Sequence, residues 1–222
     1  MTSMRRFQQF ALVAMAAMAA LLIAACNSGR VESTSSTGID VAGTPDILID
    51  NFNGAIAITT GDAGRVEATA TRFAPTGEDA TLDGLDFVFS ADATQVRGAS
   101  QWVNGAQPAT GAGIDLKLTV PAGANLEVRN GAGAIRYAGT PGGSTLTLAT
   151  GSGDVTLSLP ADTAFRVDAQ AAIGSIDTNY PLAASRTSTG ATLQGMMGDK
   201  PALAIDVATG NGTISLERQA PQ

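Results

Sequence analysis

A unit of strand, glycine-centred turn and strand recurs along this chain at a spacing near 20 residues. Such a repeat restricts the chain to folds that stack like copies side by side. Residues 146–157 read LTLATGSGDVTL, residues 203–216 read LAIDVATGNGTISL, and residues 126–135 read LEVRNGAGAI. A fourth copy runs from Phe165-Arg-Val167 to Gly174-Ser-Ile176 with a longer turn, and a degenerate fifth is ILIDNFNGAIAI at 47–58. In each copy, apolar or β-branched residues alternate with polar ones at period two, the pattern of a half-buried strand. Gly133, Gly153 and Gly174 lie 20 and 21 residues apart, and Gly174 and Gly212 lie 38 apart, close to two units. Pro121 and Pro160 close strands 39 residues apart, where a residue that cannot donate to a ladder is tolerated. Gly54, Gly133, Gly153, Gly174 and Gly212 are therefore assigned as structural turn glycines at positive-φ corners. The expected fold is all-β, a single-stranded β-solenoid (β-helix) with coils of about 20 residues. A β-sandwich of hairpins is the alternative, but it gives no reason for equal spacing.

The repeats are placed in one domain, 38–219. Residues 73–113 break the rhythm with a carboxylate-rich piece (Glu78, Asp79, Asp83, Asp86), a short apolar strand Phe87-Val88-Phe89 and the lone Trp102. Further strands are expected at 95–97 and 114–120. A separate domain of about 40 residues without disulfide or metal would be marginal, so this stretch reads as wider first coils of the same domain. Residues 27–37 (NSGRVESTSST) lack any periodic apolar pattern and are expected to form, with Cys26, a flexible tether 26–37 reaching roughly 15–20 Å.

Residues 1–25 follow the order of an export signal. Arg5 and Arg6 precede an uncharged run of 16 residues, 10–25, shorter than a spanning helix needs. It ends in Ile23-Ala24-Ala25-Cys26, which resembles the bacterial lipobox, so Cys26, the only cysteine, is the expected site of lipidation. No second thiol exists to pair with it. Cleavage before Cys26 leaves 197 residues with 11 basic and 20 acidic side chains, a net charge of −9. With no basic cluster, nucleic acid is excluded as an expected partner, and an acyl anchor rather than the acidic surface is expected to hold the membrane. Asn27, where Asp would retain a lipoprotein in the inner membrane, favours the outer membrane if the host has two.

The chain has no histidine, which removes the Ser-His-Asp triad and His-ligated zinc. The pairs Gly131/Gly133, Gly151/Gly153 and Gly210/Gly212 lack the third glycine of a dinucleotide fingerprint and precede strands, so they read as turns and no cofactor is expected. Asp154 faintly resembles one ligand of a calcium-binding nonapeptide, but the matching positions are Ala134, Ser175 and Thr213; the acidic stretch Glu78 to Asp86 is a better candidate, though a solvated loop is the simpler reading. Asp168 and Asp206 occupy matching repeat positions and could flank a glycosidic bond, as could outward residues of any solenoid. Trp102, Tyr137 and Tyr180 could stack on sugars or fill the core. No catalytic or metal site is assigned.

The leader together with DILIDNFNGAIAI, VPAGANLEVRNGAGAI, LTLATGSGDVTLSLP and LAIDVATGNGTISLE resembles the bacterial putative-adhesin family, over residues 47–217. That family is a β-strand-repeat domain of unknown function, related to toastrack domains of envelope-stress systems. The resemblance implies a β-helix, a Cys26 carrying two or three acyl chains, and no catalytic motif. The expected function is a non-enzymatic lipid-anchored envelope protein, adhesin-like or structural, contacting an envelope glycan or protein. A binding module of an envelope-stress signalling system and a small carbohydrate-active enzyme are the alternatives.

Overall fold

The computed structural model describes residues 19–21, 29–61, 64–92, 95–106 and 109–219. Cys26 and the rest of its lipobox lie outside the described residues. The described residues are all-β apart from one short helix, α1 (Asp79–Asp83).

Strands are numbered in chain order and form two sheets of nine. Across the first run β1 (Ala19–Leu21), β2 (Arg30–Asp40), β5 (Arg65–Pro75), β8 (Gly113–Pro121), β4 (Ile56–Gly61), β10 (Ile135–Ala138), β12 (Val155–Leu159), β18 (Ile214–Arg218) and β14 (Ile176–Thr178). Across the second run β15 (Ser185–Arg186), β16 (Ala191–Met197), β13 (Phe165–Ile173), β17 (Leu203–Asn211), β11 (Thr145–Ser152), β9 (Asn125–Ala132), β3 (Asp46–Asn51), β7 (Gln95–Trp102) and β6 (Leu85–Ala91). Each sheet has a parallel centre, from β8 to β14 in the first and from β13 to β7 in the second. The margins are antiparallel, at β1–β2–β5–β8 and at β15–β16–β13 and β6–β7.

Each repeat unit sends its first strand into the second sheet and its second strand into the first, giving β3/β4, β9/β10, β11/β12, β13/β14 and β17/β18. Alternation then buries every other side chain between the sheets. Ile49, Val128, Leu148, Val207 and Ala169 lie in one register row of the second sheet; Ile56, Ile135, Val155, Ile214 and Ile176 do the same in the first. Both rows belong to a single apolar core, so the sheets pack face to face.

Three expectations are corrected. The units do not wind in chain order: they stack as β3/β4, β9/β10, β11/β12, β17/β18, β13/β14, with the last unit inserted before the fourth. The reason is β16, which folds back antiparallel on the outer edge of β13 and leaves β17 only the slot between β13 and β11. The sheets are accordingly mixed and open rather than closed coils. Residues 73–113 do not make wider coils either; they build the antiparallel margin, with the expected strands inside β6, β7 and β8. Finally, residues 30–37 are not tether. They belong to β2, paired with β5 along its whole length. The apolar pattern is faint because the core-side positions Ser33, Ser35 and Thr37 are small polar residues, half-buried opposite Arg72, Ala70 and Ala68. A β-branched, small-residue strand suits a sheet margin, where little has to be buried.

Candidate functional site

The corners are the most regular feature of the molecule. Gly54, Gly133, Gly153, Gly174 and Gly212 have φ of +130°, +116°, +144°, +135° and +156°. They also stack in the order of the strands. A Cβ on Gly133 would collide with the carbonyl of Gly54, one on Gly153 with that of Gly133, one on Gly212 with that of Gly153, and one on Gly174 with that of Gly212. A second column runs beside it, because a Cβ on Gly131, Gly151 or Gly210 would strike the carbonyl of Phe52, Gly131 or Gly151. Two close backbone approaches two residues apart explain the Gly-x-Gly pairs, with strands and no helix following each.

Just before the corner, a buried polar row replaces the expected apolar side chain. Asn51, Asn130, Thr150 and Thr209 are in register across β3, β9, β11 and β17 and all buried. The corner carbonyls turn toward this buried row, where an unpaired carbonyl is costly. Asn130 Nδ2 donates to Gly54 O at 2.8 Å, Thr150 Oγ1 to Gly133 O at 3.0 Å, and Thr209 Oγ1 to Gly153 O at 2.8 Å. Asn51 Nδ2 does the same for Ile114 O at 3.1 Å. This row was missed by sequence reasoning, although its signal was present: an Asn or Thr stands three residues before four of the five corner glycines, Ala171 before Gly174 being the exception, where alternation calls for an apolar residue.

Of the aromatic residues singled out in the sequence, Tyr137 and Tyr180 are buried and Trp102 is half-buried. Tyr137 is buried, which pushes its phenol well above the usual range. Tyr180 packs edge-on to Phe165 at 5.2 Å and donates to Leu159 O at 3.3 Å. Trp102 stacks on Phe52 at 5.6 Å. Tyr137 and Tyr180 therefore present no platform for a sugar.

Asp168 and Asp206 are brought together as direct register partners on β13 and β17. Both are exposed, and Gln194 Nε2 donates to Asp168 Oδ2 at 2.8 Å. With Arg166 and Gly195 they line a shallow hollow of about 360 Å³ on the outer face of the second sheet. Asp154 Oδ1 accepts from the Thr213 amide at 2.8 Å, tying one corner to the next. Among the described residues, no three His, Cys, Asp or Glu side chains are grouped to hold a metal ion, and no helix is long and apolar enough to cross a membrane.

The outer faces carry rows of short polar and charged side chains. One row of the first sheet crosses Thr69, Lys117, Ala57, Arg136, Thr156 and Ser215. One of the second crosses Asp168, Asp206, Thr147 and Glu127. In such rows neighbouring side chains repeat at the strand spacing of about 4.8 Å.

A crystal structure described as a putative cell adhesion protein from Clostridium sporogenes matches with a TM-score of 0.54 and 10% identity, covering 85% of this chain and 100% of that one. A putative adhesin from Bacteroides fragilis is similar at a TM-score of 0.26 and 9% identity, over 82% of this chain and 96% of that one. Another from Parabacteroides distasonis gives 0.25 and 11%, over 65% and 60%. Of these, the Clostridium structure alone bears on the fold. No curated protein matches the chain. The Toastrack DUF4097 family model matches residues 24–217, so nearly the whole repeat domain, corners and outer faces included, falls within it, and the chain belongs to that family.

Proposed function

We propose that this chain is a non-catalytic, lipid-anchored envelope module that presents its polar outer faces to a glycan or protein. The observation that carries the reading is the set of in-register polar rows across the strands, on the outer faces of both sheets. Rows of this kind suit weak contacts repeated many times, which anchored copies convert to avidity. The adhesion description of the Clostridium structure supports the same reading. Its fold counterpart is a solenoid-like stack of strand–corner–strand units, supported by the common order of units in both sheets. Cys26 carries the acyl anchor, in the outer membrane if the host has two.

Three experiments test it. Cys26→Ser should abolish acyl labelling and move the chain out of the membrane fraction; unchanged labelling would remove the anchor. The purified protein should bind isolated envelope material weakly and without turnover of polysaccharides. A turnover lost on Asp168→Asn or Asp206→Asn would replace this reading with an enzyme built on the carboxylate pair. Protease shaving of intact cells separates surface exposure, which adhesion requires, from a periplasmic position, which suits a signalling module.

A further inference from the structure

We infer that the outer edge of β2 is a pairing edge for a second copy of this chain, joining the first sheets of two molecules antiparallel about Ser35. The inference rests on the reading that residues 1–25 are removed, because β1 lies within them and occupies that edge. β1 pairs antiparallel with Thr34, Ser35 and Ser36, Ala20 standing opposite Ser35. The edge therefore accepts a strand, and the same backbone groups fall open when the leader leaves.

β2 is 11 residues long, whereas the other marginal strands β14, β15 and β6 have 3, 2 and 7. Its charges, Arg30, Glu32 and Asp40, lie toward its two ends, and the other devices that keep a sheet edge solitary are absent from it. It has no proline and no lysine, and its register with β5 runs without a bulge from Arg30 to Asp40. An exposed edge of this length presents a row of unpaired backbone groups that can template another strand.

The sequence of β2 says which strand. Read against a reversed copy of itself about Ser35, RVESTSSTGID sets Arg30 opposite Asp40, Val31 opposite Ile39, Ser33 opposite Thr37 and Thr34 opposite Ser36. The faces also agree. Arg30, Thr34, Ser36 and Asp40 share the outer face, with Thr34 and Ser36 hydrogen-bonded to Thr71 and Thr69 there at 3.0 and 2.9 Å. Val31 and Ile39 share the half-buried inner face, opposite Ala74 and Val66 of β5. Neighbouring registers that keep the faces are worse. Centring on Ser36 sets Glu32 against Asp40, and centring on Thr34 leaves Arg30 against Gly38. A twofold axis then supplies the Arg30–Asp40 pair twice. Arg30 and Asp40 already hold local partners, Asp115 at 3.2 Å and Arg65 at 2.6 Å, so each end of the joint would become an alternating charge cluster.

The test uses the full chain carrying Ser35→Cys, isolated from membranes and oxidised beside the wild type. A disulfide-linked band at twice the protomer mass is expected in the variant alone. Asp40→Arg, added to Ser35→Cys, should reduce the linked fraction roughly tenfold, because like charges then oppose each other at both ends. The exchange Arg30→Asp with Asp40→Arg should restore it. Thermal unfolding checks that each variant folds, and sedimentation of the wild-type chain in detergent should itself give twice the protomer mass. Acyl labelling and chain length are read on the same sample. A cleaved, acylated chain that neither links nor sediments as a dimer overturns the pairing and leaves the anchor intact. Linking with the leader retained overturns both, because β1 would still hold that edge and an unacylated Cys26 would supply the thiol. A retained leader with no linking overturns both, and undiminished linking in the Asp40→Arg variant overturns the register.

Discussion

At the scale of single residues the fold depends on a few backbone positions. Gly153 combines positive φ with a Cβ position occupied by the Gly133 carbonyl. Gly153→Val should therefore cost at least about 1–3 kcal/mol, read from denaturant unfolding, whereas Ser158→Thr on an outer face should stay within about 0.5 kcal/mol. Tyr137 adds a pH dependence. Burial raises its pKa above the ordinary value of 10.0, so the folded state favours the neutral phenol. That contribution is complete below the unfolded value and is lost as pH rises beyond it toward the folded value. The melting temperature should fall above about pH 10, and Tyr137→Phe should shallow that fall. A slope unchanged by the substitution would assign the alkaline loss to other groups. The corner glycines were legible because their spacing repeats. The Asn–Thr row beside them was not, since a buried polar side chain looks like an error of alternation until the carbonyl it serves is known.

At the scale of elements, legibility followed burial. The strands of the parallel centre are buried on one face along their whole length, and their period-two pattern is accordingly clean. Leu148, fully buried on β11, should cost about 2–5 kcal/mol on truncation to alanine. Val31→Ala on β2, where the side chain is half-buried, should cost under about 1 kcal/mol; equal losses at the two positions would show β2 to be as integral as the centre. β2 escaped notice for the same reason it should tolerate change. Its inward hydroxyls and small residues bury too little to print a pattern, and only the partner strand β5 reveals it. The carboxylates Asp168 and Asp206 were correctly set side by side by repeat position alone, because parallel strands in register carry equivalent residues to adjacent sites.

At the scale of the whole molecule, local pattern could not convey the order in which units stack. Equal spacing is compatible with any order of like strands, and the choice was made by β16 closing the far edge of β13. Removing residues 200–222 should abolish cooperative thermal unfolding, because β11 and β13 lose the strand that joins them and β12 and β14 lose β18. A truncated chain that melts in a single transition would mean β13/β14 can close directly on β11/β12. Repeat arrays that wind in chain order gain or lose units at their ends, and their lengths drift over evolution. Here β17/β18 is an interior course, laid between two earlier ones, and β13 in the outer course beyond it is already covered by β16. A further copy following β18 would find the outer edge of β13 already covered by β16, so this way of laying courses leaves the second sheet no parallel berth at that end.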